Sequence, residues 1–344
     1  MFTAEFIKSL PKADLHRHYD GCIRPESVLE IAKEQNIKLP TEDLDVLKSK
    51  IMMSNDCQSL VEYLNAFDIV NLILQKEENI TRTMYECCED AHNDGLTYVE
   101  FRFAPILHTK GGLSYEQVMN AMIAGIKRAE ATFNIVVRLI ICAMRHLDSE
   151  KSMEAAKLAV QYKDNYVVGF DLAGAEDGFP PSIHRDACEY CYENGLHITI
   201  HGGEAAGHES VDEAIACHAT RIGHGVRSIE SAETMKTLRE KNIAIEACVT
   251  SNTQTKAIQN LEGYPLKQFK ENGIKVTINT DNTTVSNCTL SGEIQIFCEK
   301  YHLTNQDLHD LLLNSFQVAF IKEQDIKEKL IQDTDRKLKE LLKL

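Results

Sequence analysis

Eight short runs of apolar and β-branched residues, each separated from the next by longer stretches with helical spacing, constrain this chain more than anything else in it. The runs span residues 13–16, 97–103, 135–142, 167–172, 197–201, 220–223, 243–247 and 275–279. Helical periodicity fills residues 115–133, 151–163, 183–194 and 231–241 between them. Eight strands alternating with helices predict an α/β fold, a (β/α)8 TIM barrel, with a doubly wound sheet as the alternative. No Gly-x-Gly-x-x-Gly follows the first strand, which weakens a dinucleotide-binding reading. The absence of repeats and of Pro/Ser-rich linkers predicts one domain over residues 1–344. Extra helices are expected in an insertion after the first strand, about 22–96, and at the C-terminus. Within the insertion, helices are predicted at 25–35, 60–74 and 80–93. The stripe Leu60, Leu64, Phe67 and Val70 is a candidate pocket lining. The charged stretch 324–344 is expected to lie on the surface.

Chemistry-bearing residues fall at the C-terminal ends of these runs, the face where barrels of this kind place their sites. His16-Arg17-His18 ends the first strand, and histidines two apart on an extended segment point to one side. His201-Gly202-Gly203-Glu204 ends the fifth, Gly223-His224-Gly225 the sixth, and Thr280-Asp281-Asn282 the eighth. His16, His18, His201 and Asp281 offer three imidazoles and a carboxylate, a set suited to one Zn²⁺ with a position left for water. A bound zinc lowers the pKa of water from about 15.7 to about 7. Glu204, in a glycine-rich turn beside that set, is a candidate proton carrier. His224 is a candidate base or water-orienting group, and the glycines flanking it suggest close approach to a ligand.

The formal net charge is −15, and no basic patch is evident, so nucleic acid is not an expected partner. No apolar run approaches the roughly 18 residues of a membrane-spanning helix. The N-terminus lacks the pattern of a signal peptide. Eleven cysteines without a framework spacing fit a reducing, cytoplasmic setting. Cys188-x-x-Cys191 has no second such pair and reads as part of a helix.

Taken in order and spacing, these motifs resemble the adenosine deaminases of the metal-dependent amidohydrolase superfamily. The resemblance spans nearly the whole chain through residues 14–25, 98–105 (Y-V-E-F-R-F-A-P), 142–146, 171–176 (D-L-A-G-A-E), 201–204, 222–225, 246–252 (E-A-C-V-T-S-N) and 279–282. It implies zinc ligands at His16, His18, His201 and Asp281, and catalytic roles for Glu204, His224 and Asp281. Glu204 would protonate purine N1, and His224 would position the attacking water. It also implies substrate contacts from Gly174 to N3, from Asp20 with His18 to the ribose 5′-hydroxyl, and from Asn282 to the base. The implied reaction is hydrolysis of adenosine and 2′-deoxyadenosine to inosine and 2′-deoxyinosine plus ammonia, in purine salvage.

Three departures stand out. Asn282 occupies a position where the family pattern has a second aspartate, and an amide donates to N7 without having to carry an acidic proton. Gly202 and Val249 replace an alanine and a proline. No lysine follows the fourth strand, where two-metal relatives carry a bridging one, so a single metal is expected. The alternatives are an adenine deaminase or a deaminase of modified adenosine on the same scaffold, a deaminase of a non-purine ring, and a non-enzymatic binding protein. The last would be expected to lack a ligand or Glu204, and this chain has them all. Oligomeric state is left open.

Overall fold

The computed structural model describes residues 2–54 and 56–344. Its strands are β1 (Lys12–His18), β2 (Leu96–Phe103), β3 (Val136–Met144), β4 (Val167–Ala173), β5 (His197–Gly202), β6 (Arg221–His224), β7 (Ala244–Ala247) and β8 (Val276–Ile278). They form one sheet in the order β1 to β8, every neighbouring pair parallel. Parallel neighbours require crossovers, and helices supply each one. The fold is therefore a (β/α)8 barrel and not a doubly wound sheet.

Strand alternation divides each strand between two environments. In β2, Val99, Phe101 and Phe103 join the apolar layer between strands and helices. Tyr98, Glu100 and Arg102 turn to the other side, where all three are fully buried. The barrel interior is thus charged, and its charges are paired. Arg221 Nη2 donates to Glu100 Oε2 at 2.5 Å, and Arg221 Nε to Glu246 Oε1 at 2.7 Å.

The first and last strands meet through a seam instead of a regular ladder. A single bridge pairs Arg17 with Asp281. The Asp281 N–H donates to the His16 carbonyl at 2.8 Å, and the His18 N–H to the Asp281 carbonyl at 2.7 Å. Side chains replace the missing ladder bonds. Leu15 N–H donates to Asn279 Oδ1 at 2.9 Å, and Thr280 Oγ1 donates to Asp14 Oδ2 at 2.6 Å. This seam places His16 and His18 directly beside Asp281.

Between β1 and β2 lie helices Pro25–Glu34, Leu44–Ile51, Leu60–Leu64, Ala66–Asn71 and Glu77–Asn93. Three corrections to the sequence reading belong here. The helix expected over 60–74 is two short helices, broken at Asn65, whose N–H turns back to the Glu62 carbonyl. The helix Leu44–Ile51 was not foreseen; Asp43 caps it by accepting from the Val46 N–H at 2.9 Å. Val70 packs into the main core and not toward a pocket, although Phe67 on the same short helix lines one. At the C-terminus, helices Leu290–Lys300, Asn305–Val318 and Gln324–Leu342 follow β8. The last is charged on its outer face as expected, but it buries Thr334, Leu338 and Leu342, so it is a packed element.

Asn279→Ala removes the acceptor of the buried Leu15 N–H at the seam. It should lower stability by about 1–3 kcal/mol in urea unfolding; an unchanged midpoint would show that the seam does not depend on this bond.

Candidate active site

At the C-terminal ends of the strands, β1, β5 and the segment after β8 bring His16, His18, His201 and Asp281 together. One donor atom from each lies within 4.8 Å of the others, the one such cluster found among the described residues. His18 Nε2 and His201 Nε2 face each other at 3.1 Å, and Asp281 Oδ1 is 3.4 Å from the Nε2 atoms of both His16 and His18.

Carboxylates behind the rings set which nitrogen carries the proton. His16 Nδ1 contacts Glu246 Oε2 at 2.8 Å, and His201 Nδ1 contacts Asp171 Oδ1 at 3.1 Å. Burial by itself would push both acids up. For Glu246, Arg102 and Arg221 outweigh burial and hold the group well below the usual range; for Asp171, His201 and Arg102 do so. Ionised carboxylates only accept, so both Nδ1 atoms donate, and both Nε2 atoms face the cluster. His16 Nε2 is buried there without a hydrogen-bond partner. Burial also holds His18 well below the usual histidine pKa, whereas for His16 burial and Arg102 are outweighed by Asp281 and Glu246, which raise it. Burial would raise Asp281, but His16, His18 and His224 around it keep it ionised.

Ring nitrogens that converge this closely beside an ionised carboxylate suit a shared cation. Two imidazole nitrogens bound to one tetrahedral zinc at 2.0–2.1 Å would lie roughly 3.3 Å apart, close to the His18–His201 separation. The residues present fit a metal ion.

Glu204 sits at the edge of this cluster. Burial, with Asp281 and Glu176 nearby, pushes its carboxyl up to about 8, so it is protonated at neutral pH. Thr255 Oγ1 donates to its Oε1 at 2.9 Å, and its Oε2 lies 3.5 Å from His224 Nε2. The turn that carries it is wrapped around Glu176, which accepts from the N–H groups of Gly203, Glu204, Ala205 and Ala206 at 2.5–3.1 Å. Burial and the His16 ring hold His224 neutral. Asn252 Nδ2 donates to His224 Nδ1 at 2.9 Å, which leaves the ring proton on Nε2, facing Glu204.

His224 and Asp281 both have left-handed backbone, with φ of 65° and 62°. Non-glycine residues held this way carry strain that the surrounding structure must impose. Gly223 also explains itself: a Cβ there would come within 2.9 Å of the His16 ring. The close approach at Gly223 is therefore to the His16 ring, and that at Gly225 is to the Ile245 side chain.

A cavity of about 400 Å³ opens from the cluster, lined by His18, Asp20, Gly174, Glu204, His224 and Asn282 among others. Every metal, catalytic and substrate-contact candidate named from the sequence thus lines this cavity or, as His16 does, borders the cluster at its floor. Asp20 is buried in it and its carboxyl is pushed up to about 7 by burial. Asn282 Oδ1 has no hydrogen-bond partner, and a Cβ on Gly21 would collide with it, so Gly21 makes the room for this amide. Leu60, Leu64 and Phe67 roof the opening.

Sequence reasoning did not assign Arg102, Asp171, Glu246, Glu176, Thr255 or Asn252 a role. A signal existed for three of them. Arg102, Asp171 and Glu246 are charged residues inside apolar strand runs, and such residues are almost never fully buried unless paired.

The family model described as "Adenosine deaminase" matches residues 11–337. The chain is 42% identical over 320 residues to a probable adenosine deaminase of Dictyostelium discoideum, covering 93% of this chain and 42% of that longer protein. It is 41% identical over 315 residues to the adenosine deaminase of Clostridium botulinum strain 657, covering 91% of this chain and 95% of that one. Among solved structures it is similar to the N6-methyl-AMP deaminase of Arabidopsis thaliana, with TM-score 0.86, 27% identity, and 97% and 98% of the two chains covered.

Asp171→Asn weakens the acceptor behind His201. Loss of such a partner typically costs about 10–100-fold in metal affinity. Chelator competition should show a drop of that size, and wild-type affinity would remove Asp171 from this role.

Proposed function

This chain belongs to the adenosine deaminase family and is a hydrolytic deaminase; we propose that it converts adenosine and 2′-deoxyadenosine to inosine and 2′-deoxyinosine with release of ammonia. The observation that carries this reading is a protonated acid, Glu204, in one cavity with a cluster of three imidazoles and an ionised carboxylate. We assign His16, His18, His201 and Asp281 as the residues that hold the metal, and nitrogen and carboxylate donors suit Zn²⁺. Zinc bound there supplies a water whose pKa falls to about 7.

The remaining steps belong to the chain. Glu204 donates its proton to purine N1, which makes C6 electrophilic. Asp281 takes one proton from the attacking water, and the Nε2–H of His224 orients the water's oxygen as the C6–O bond forms. Asp281 then passes that proton to the C6 amino group, which leaves as ammonia as the C6–N bond breaks. The hydroxyl proton on C6 returns to Glu204, leaving a carbonyl at C6 and a proton on N1. No proton is gained or lost by the protein over the cycle. Gly174 and Asn282 are assigned to the base, and Asp20 with His18 to the ribose.

Asp20 favours a nucleoside over a 5′-monophosphate. An acid buried where the 5′ end would lie repels a phosphate, whereas it accepts from or donates to a hydroxyl. The eleven cysteines, all unpaired, fit a reducing compartment such as the cytoplasm. No helix among the described residues is long and apolar enough to cross a membrane.

Ammonia release from adenosine by the zinc-loaded protein tests the assignment. Glu204→Gln should keep the metal and lose at least about 10²-fold in kcat; a fully active variant would remove Glu204 from its role. The alkaline limb of kcat/KM should fall at or below about 8, because Glu204 acts protonated and a bound cation favours its carboxylate. AMP should be turned over at least about 10²-fold less efficiently than adenosine, and Asp20→Asn should narrow that ratio. Equal rates on AMP, or turnover of free adenine alone, would overturn the substrate assignment.

A further inference from the structure

A second cavity, of about 300 Å³, lies on the far side of β1 from the active site. Lys8, Arg17, Asp90, Asp94, Thr284 and Thr289 line it. Arg17 stands between His16 and His18, and strand alternation turns it away from the metal-facing cluster. Its side chain is 3% exposed, with the guanidinium over the Phe101 ring at 5.5 Å. Nε and Nη1 are both buried without a hydrogen-bond partner. The carboxylate recorded beside it, Asp14, is 3.9 Å from Nη1, and Asp14 is already engaged by Thr280. A buried guanidinium with unfilled donors is costly, because it forfeits hydration without replacing it.

The charges around this cavity are unequal in what they are free to do. Asp90 is held by Arg24, whose Nε and Nη2 donate to its two oxygens at 2.9 and 2.6 Å. Asp94 accepts from the Ser291 N–H at 3.1 Å and lies in the field of Lys12. Lys8, at the exposed rim, has no ion-pair partner among the described residues. The hydroxyl oxygen of Thr289 accepts from the Gly292 N–H, so its own proton is left to donate. Asp90 is therefore engaged through both oxygens and Asp94 through one, while two cations and a hydroxyl donor are free to bind.

We propose that this cavity binds a tetrahedral oxyanion of phosphate size, with Arg17 at its floor and Lys8 and Thr289 at its rim. Guanidinium and ammonium donors match such an ion in charge and in hydrogen-bonding capacity. The occupant links Arg17, which stands between two metal-facing histidines, to the segment that continues from Asp281 and Asn282 through Thr284. It thereby braces the β1–β8 seam from outside the barrel.

The test is thermal unfolding of the zinc-loaded protein in sodium phosphate, compared with sodium chloride at equal ionic strength. Phosphate should raise Tm by about 2 °C or more, saturably, in the wild type. The rise should fall by at least half in Lys8→Met and vanish in Arg17→Gln. Lys8 is exposed, so its variant keeps the test intact if Arg17→Gln does not fold. No rise beyond that in chloride would mean the cavity holds water only and would overturn the proposal. An equal rise in Lys8→Met would place the anion elsewhere, the metal centre included, and would overturn it as well.

Discussion

Arg102 holds the interior of this barrel together. It projects from β2 with no exposure to solvent, and its Nη1 donates to Asp171 at 3.1 Å and its Nη2 to Glu246 at 2.9 Å. Those two carboxylates are the groups that orient His201 and His16. One guanidinium thus helps keep two acids ionised, with Arg221 beside Glu246 and His201 beside Asp171, and each acid orients one ring of the cluster. Nη2 also donates to the Leu15 carbonyl at 2.6 Å, which ties β1 to the same centre. Two carboxylates could not stay ionised without solvent and without this cation, and a protonated acid would no longer direct the rings.

The same principle divides the labour among the acids of the cavity. Asp281 is surrounded by imidazoles and stays ionised, while Glu204 sits beside other acids in a buried turn and stays protonated. Environments that push two carboxyl groups in opposite directions supply an acid and a base at one pH. Glu176 makes this possible at a distance. By accepting four successive N–H groups it fixes the turn of Glu204 and adds the negative charge that helps keep Glu204 neutral. The strained backbone at His224 and Asp281 belongs to the same design, since the seam and the β6 turn impose conformations these residues would not adopt alone.

Much of the fold and the site was legible because their signals are local. Apolar runs of strand length separated by helical spacing report the eight strands, with boundaries off by no more than two residues. His16 and His18 are two apart on one strand, and Glu204 is three from His201, so their proximity needs no knowledge of the rest. Asn65 shows where local signals stop. The stripe through Leu60 and Phe67 has helical spacing, yet the chain breaks at Asn65, and Leu60, Leu64 and Phe67 line the cavity while Val70 packs into the core. Thr334 and Leu338 make the same point at the C-terminus, where a charged stretch also carries a buried face.

The amino-acid order by itself determined the strand count and which histidines and acids gather at the strand ends, because side-chain period and residue chemistry are properties of short segments. Only the tertiary structure decided how those groups are charged and aimed. Arg102 reaches Glu246 across 144 positions of the chain, and Asn279 reaches Leu15 across 264. Protonation and orientation depend on partners brought in by barrel closure and on the exclusion of water around them. Neither can be read from a segment before the barrel has closed.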